Sequence, residues 1–138
     1  VFLVTGCSSS EEKTMTCTRT MNQSGMKTNL NYKVTYSGDY VNRVQSEESI
    51  ETDDTTTLNT YKEQIENIYK PYKDIKYYTY NVTVDGNKLV STVDINYAKI
   101  DTKKLIEIDS ANSQLINDGK VKLSSVKSLY EQLGATCK

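Results

Sequence analysis

The chain has 138 residues, a formal net charge of -1, three cysteines, eleven tyrosines, one proline and no histidine. That length suits one domain with a modest core. The near-zero charge provides no basic excess to neutralise phosphates, so nucleic acid is not an expected partner. Without histidine, Ser-His-Asp and Cys-His catalysis, histidine general bases and histidine metal sites are all excluded.

Residues Val1 to Val4 are apolar, and the composition changes abruptly at Cys7 to Ser8-Ser9-Ser10-Glu11-Glu12-Lys13. An apolar stretch ending in small residues reads as the tail of a secretory signal. The string Val4-Thr5-Gly6-Cys7 also resembles the bacterial lipobox, which implies cleavage after Gly6 and lipid on the Cys7 sulfur. Residues 1–6 are then the end of the signal, 7–13 a lipidated cysteine with a flexible spacer, and 14–138 one folded domain. The alternative is an ordinary structural Cys7 behind a buried strand. Acyl chains would hold the protein on a membrane, since each buried CH₂ contributes about 0.8 kcal/mol. Cys17 and Cys137 remain, and two cysteines in an exported chain are candidates for one disulfide closing nearly the whole domain. The alternative for them is a pair of buried thiols.

Along the chain, residues 14–21 alternate threonines against Met15, Cys17, Arg19 and Met21, the period of a strand. Gln23-Ser24-Gly25 reads as a turn. A second strand spans about 26–36 with Leu30, Tyr32, Val34 and Tyr36 on one face, and Ser37-Gly38-Asp39 is a hairpin loop. A third strand, Tyr40 to about Ile50, has a weaker pattern. Asp53 or Asp54 offers an N-cap. Beyond it Leu58, Tyr61, Ile65, Ile68 and Tyr72 recur at helical spacing, so a helix is expected with these five on its apolar stripe and Pro71 near its end.

Tyr78, Tyr80, Val82 and Val84 alternate with Tyr77, Thr79, Asn81 and Thr83, and Leu89, Ser91, Val93, Ile95 and Tyr97 alternate after Asp85-Gly86-Asn87. This is a second hairpin, with either Asp85-Gly86 or Gly86-Asn87 as its loop. Asp101 caps a short helix to Ile108. Residues 109–119 are loop-like, with Leu115 and Ile116 tucked inward. Ser124 is expected to cap a last helix bearing Val126, Leu129, Tyr130 and Leu133, which Gly134 ends. The order predicts an α+β fold: an antiparallel β-sheet of about five strands with two or three helices packed on one side.

The lipobox-like Val4 to Cys7, the segment Met15-Thr16-Cys17-Thr18-Arg19, Ile100-Asp101-Thr102-Lys103-Lys104 and Leu133-Gly134-Ala135-Thr136-Cys137 together resemble the YehR-like bacterial lipoproteins. The resemblance covers the chain from Cys7 onward. It implies a small exported α+β lipoprotein of unknown biochemical function, tethered outside the cytoplasm through Cys7, with Cys17 and Cys137 joined.

The six glycines stand far apart, so no phosphate-cradling loop is expected. Three cysteines are too few for a histidine-free zinc site. The acidic run Glu47, Glu48, Glu51, Asp53 and Asp54 lacks the glycine and spacing of a calcium loop, and reads as carboxylates near a helix N-terminus. No cofactor, metal or catalytic residue is expected. Tyr69, Tyr72, Tyr77, Tyr78 and Tyr80 crowd together, and two readings of them compete. In one, an outward pair, Tyr69 and Tyr77, stacks on an envelope glycan or peptide. In the other, tyrosine serves as the core aromatic of a chain with one phenylalanine and no tryptophan. The expected function is a non-enzymatic binding or structural domain at the cell envelope.

Overall fold

The structure is a computed structural model that describes residues 11–138. Three long strands come first: β1 (Glu12–Gln23), β2 (Met26–Ser37) and β3 (Tyr40–Glu51). The β1–β2 turn places Ser24 at φ 52° and Gly25 at φ 74°. Two consecutive positive φ values match the right-handed twist of the flanking strands. The helix α1 (Thr55–Tyr69) follows, then a 3₁₀ turn over Lys70–Tyr72, and the hairpin β4 (Tyr78–Asp85) and β5 (Lys88–Asn96). Asp85 pairs with Lys88, so Gly86-Asn87 is the loop of that hairpin. The last third holds α2 (Thr102–Ile108), a 3₁₀ turn (Ser110–Gln114), the small hairpin β6 (Ile116–Asn117) and β7 (Lys120–Val121), α3 (Leu123–Gln132) and β8 (Thr136–Cys137).

The main sheet has six strands in the order β4-β5-β3-β2-β1-β8. Every neighbouring pair is antiparallel. The expected α+β architecture is therefore present, with β8 as a strand beyond the five read from alternation. Two residues are too few to show a period. β8 is held by its partner instead: the Thr16 N–H donates to the Lys138 carbonyl and the Lys138 N–H to the Thr16 carbonyl, each at 2.9 Å.

One face of the sheet carries the core, and strand alternation puts the rest outward. Met15, Cys17, Tyr32, Val34 and Val44 pack with Val126 and Ala135. Leu58 of α1 seals Val82 and Leu89. Between these groups, Tyr78, Val93, Ile100 and Leu105 form a cluster flanked by Tyr69, Tyr72, Tyr80 and Tyr97. Tyrosine is thus the main core aromatic.

Two local expectations are corrected. Ile68 does not belong to the apolar stripe of α1: it is 63% exposed. Tyr69, one position on, turns toward the core instead. A step of one residue rotates a side chain by about 100° around a helix, enough to leave the buried face. Ser124 does not cap α3, which starts at Leu123 with Lys122 as its N-cap and no side-chain cap bond. The β2–β3 hairpin fulfils that role: the Leu123 N–H donates to the Asp39 carbonyl at 2.9 Å. The C-terminal end of α3 behaves as expected. Gly134 takes φ 87°. The Gly134 and Ala135 N–H groups close back on the Glu131 and Tyr130 carbonyls at 2.9 and 3.0 Å, the Schellman pattern.

Candidate functional site

Cys7, the residue expected to carry lipid, lies outside the described residues, as does the lipobox-like string before it. β1 starts at Glu12, inside the stretch read as spacer. The other two cysteines are joined. Cys17 and Cys137 sit opposite each other on β1 and β8 and form a disulfide, with Cα atoms 4.0 Å apart. Cys17 is fully buried. The bond ties the first strand to the last across a sequence separation of 120 residues.

The acidic run divides rather than converging. Strand alternation sends Glu47 to the open face and Glu48 to the helix-covered face. There the Tyr32 hydroxyl donates to Glu48 Oε1 at 2.8 Å. The Tyr130 ring of α3 lies flat on Tyr32, with centroids 4.0 Å apart. Asp54 caps α1, accepting from the Thr57 N–H at 3.1 Å and the Thr57 hydroxyl at 2.7 Å. These bonds, the hydroxyl's foremost, hold the Asp54 carboxyl below its ordinary pKa. Among the described residues, no group of three or more Asp, Glu or Cys side chains converges in a way that would hold a metal ion.

The proposed tyrosine pair is also divided. Tyr69, the last residue of α1, stacks on Tyr80 at 5.5 Å on the helix-covered face, and burial pushes its phenol up to about 12. Burial also raises the Tyr32, Tyr78, Tyr97 and Tyr130 phenols, Tyr97 to about 12. Tyr77 is 44% exposed and faces the other side of the sheet, beside Thr79, Asp94 and Asn96. The two rings therefore share no surface. Tyr77 lies outside β4, in the turn that the Tyr78 N–H closes on the Ile75 carbonyl at 3.3 Å, whereas Tyr78 is the first strand residue and is buried.

The open face of the sheet holds a shallow depression of about 560 Å³ lined by Asn31, Gln45, Glu47, Asn81, Thr92, Asp94 and their neighbours. A second hollow of about 290 Å³ shares Thr79 and Asp94 with it and ends at Arg43 and Tyr77. Arg43 grips Asp94 with two bonds, Nε to Oδ1 at 2.8 Å and Nη2 to Oδ2 at 2.5 Å. Two irregularities shape this end. The pairing of β2 with β3 shifts between Thr35 and Tyr36, leaving Asn42 as an extra residue beside Arg43. Such a bulge bends its strand and re-aims the next side chains. Tyr77 takes φ 70°, a conformation costly for a bulky side chain. The outward positions were readable from alternation. The bulge and the strained tyrosine left no periodic signal in the sequence: the bulge is a product of strand pairing, and the tyrosine belongs to the turn before β4.

The comparisons with known proteins agree with the fold. The chain matches the NMR structure of the Escherichia coli YehR protein with a TM-score of 0.60 at 20% identity, covering 91% of each chain. It matches the NMR structure of a protein from Streptococcus pneumoniae TIGR4 with a TM-score of 0.57 at 15% identity, covering 100% of this chain and 92% of the other. At these identities the likeness is one of fold. No curated protein matches the chain. The family model "Protein of unknown function (DUF1307)" matches residues 15–136, nearly the whole described sheet and its helices. With its fold shared by YehR and that match running from β1 to β8, the chain belongs to the DUF1307 family, whose function is unknown.

Proposed function

We propose that the protein is an exported, lipid-tethered, non-enzymatic domain at the bacterial cell envelope. The observation that carries this reading is the Cys17–Cys137 disulfide. Such bonds persist in oxidising compartments and are rare in the cytosol. It supports export, and the string Val4-Thr5-Gly6-Cys7 supports a lipid as the anchor. Among the described residues no helix is long and apolar enough to cross a membrane. From Cys7 to the start of β1 at Glu12 an extended chain reaches no more than about 18 Å. A lipid on Cys7 would therefore hold the body close to the bilayer. The non-enzymatic part is supported by residue types: the chain has no histidine to act as a general base or to activate a cysteine.

The test is fractionation and intact mass of the protein from its own cells. The expected result is a membrane-bound form whose mass starts at Cys7 and includes acyl groups, with Cys7→Ser released to the soluble fraction. Thiol labelling of Cys17 and Cys137 should require prior reduction. A soluble, unacylated protein retaining the residues before Cys7 overturns the reading.

A second reading, a carbohydrate- or peptide-binding module that uses an exposed tyrosine, is favoured by Tyr77 alone. Its ring stands beside the polar hollows, whereas Tyr69 is half-buried against the core on the other face.

A further inference from the structure

We propose that the open face of the sheet over β2, β3, β5 and β4 binds an uncharged oligosaccharide, with the Tyr77 ring closing one end of the site. The inference deepens the second reading above and does not depend on the lipid.

Any antiparallel sheet covered on one side has a wet face, so wetness alone decides nothing. The two halves of this face differ, however. The β1 half presents Thr14, Thr16, Thr18 and Thr20, a plain exposed row. The other half presents Asn31, Gln45, Glu47, Asn81, Thr92 and Asp94 around one depression of about 560 Å³. Amides, hydroxyls and carboxylates there alternate at strand spacings of about 4.8 Å and 7 Å. That grid offers donors and acceptors in both directions, which a polyhydroxylated chain requires and an apolar ligand cannot satisfy. The side chains of Tyr80 and Val93, which also border the depression, pack into the core from the other side. The floor is therefore backbone, and side-chain carbons share the lining with the polar groups.

Charge selects within the polar ligands. Arg43 and Asp94 neutralise each other, and the depression otherwise holds one lysine, Lys33, and one glutamate, Glu47. The depression itself therefore has balanced charge and does not attract a polyanion; a further cation, the Lys99 ammonium, lies outside it, 5.8 Å from the centre of the Tyr77 ring. The third observation is Tyr77. Its φ of 70° carries a conformational cost, and such strain concentrates at binding sites. The geometry places the ring at the rim, next to the bulge at Asn42–Arg43. Aromatic faces are the usual apolar element of a site that is otherwise polar.

The experiment is an NMR titration of the ¹⁵N-labelled full chain with three probes: a neutral tetrasaccharide of N-acetylglucosamine, an acidic tetragalacturonate and a short uncharged peptide. The expected result is saturable shifts from the neutral sugar, with a Kd near or below about 1 mM, at the amides of Asn31, Glu47, Asn81, Thr92 and Tyr77. Tyr77→Gly should weaken binding by about five- to tenfold without lowering Tm, because glycine accepts the positive φ freely. Asn81→Ala should weaken it as well. Tighter binding of the acidic sugar overturns the assignment to uncharged glycans. Shifts at Tyr77 from the peptide alone leave the second reading standing as a peptide site and overturn this inference. No saturable shift on the open face from any probe overturns both.

Discussion

Single residues show how alternation divides chemistry in this protein. Adjacent acids on β3 end on opposite faces, and Glu48 becomes a half-buried acceptor for the Tyr32 hydroxyl. Removing that hydroxyl strands a carboxylate under Tyr130. Tyr32→Phe is therefore expected to cost about 1.5–3 kcal/mol, the range for bonds to charged groups. Urea melts of the variant would measure it. Glu48→Gln keeps an acceptor and should cost less. Equal losses for the two variants would mean that the bond is not the source. Tyr77 illustrates the converse case, since it is exposed and takes its positive φ in the turn before β4, closed by the Tyr78 N–H on the Ile75 carbonyl.

At the scale of elements, α1 is the clearest case. Its pattern and its cap were legible in sequence, because helical period and an aspartate N-cap are local properties. Which flank meets the sheet was not legible, because that depends on where β4 and β5 lie. Leu58 is fully buried against Val82 and Leu89, whereas Ile68 is exposed. Leu58→Ala should cost about 2–5 kcal/mol through the lost apolar burial and the cavity it leaves. Ile68→Lys should stay within about 0.5 kcal/mol of the parent. Thermal or chemical melts of the pair check the assignment directly. A large loss at Ile68 would place it on the core face. α3 carries the same lesson at its N-terminus, where a carbonyl of the distant β2–β3 loop satisfies the first N–H.

For the molecule as a whole, the disulfide and the buried phenols set the limits of stability. The chain-entropy account assigns a loop of 120 residues about 5 kcal/mol. Cys17→Ala with Cys137→Ala should lower stability by about 2–5 kcal/mol. It should also release β8, whose remaining ties to β1 are a few backbone bonds. Faster amide exchange at Thr16 and Lys138 would report that release. Alkali should act through the tyrosines. Their folded pKa lies above the unfolded value, so the unfolded chain ionises first. The stability they contribute is complete below about pH 10 and falls as pH rises toward 12. Several phenols share this shift, so the loss should be steeper than one proton allows. Denaturant melts between pH 9 and 12 would show it. A pH-independent midpoint would place these rings in water.

The one-dimensional pattern of residues determined the five long strands with their wet and dry faces, the helices and the α+β class, because each rests on periods of two or 3.6 residues within a segment. The pairing of Cys17 with Cys137 was offered by count. It was decided by β8 falling beside β1, a contact that no local period records. The inward turn of Tyr69, the exposure of Ile68, the bulge at Asn42 and the hollow on the open face also came only with tertiary structure. Each depends on which strand or helix lies across from the residue, and that neighbour is distant along the chain.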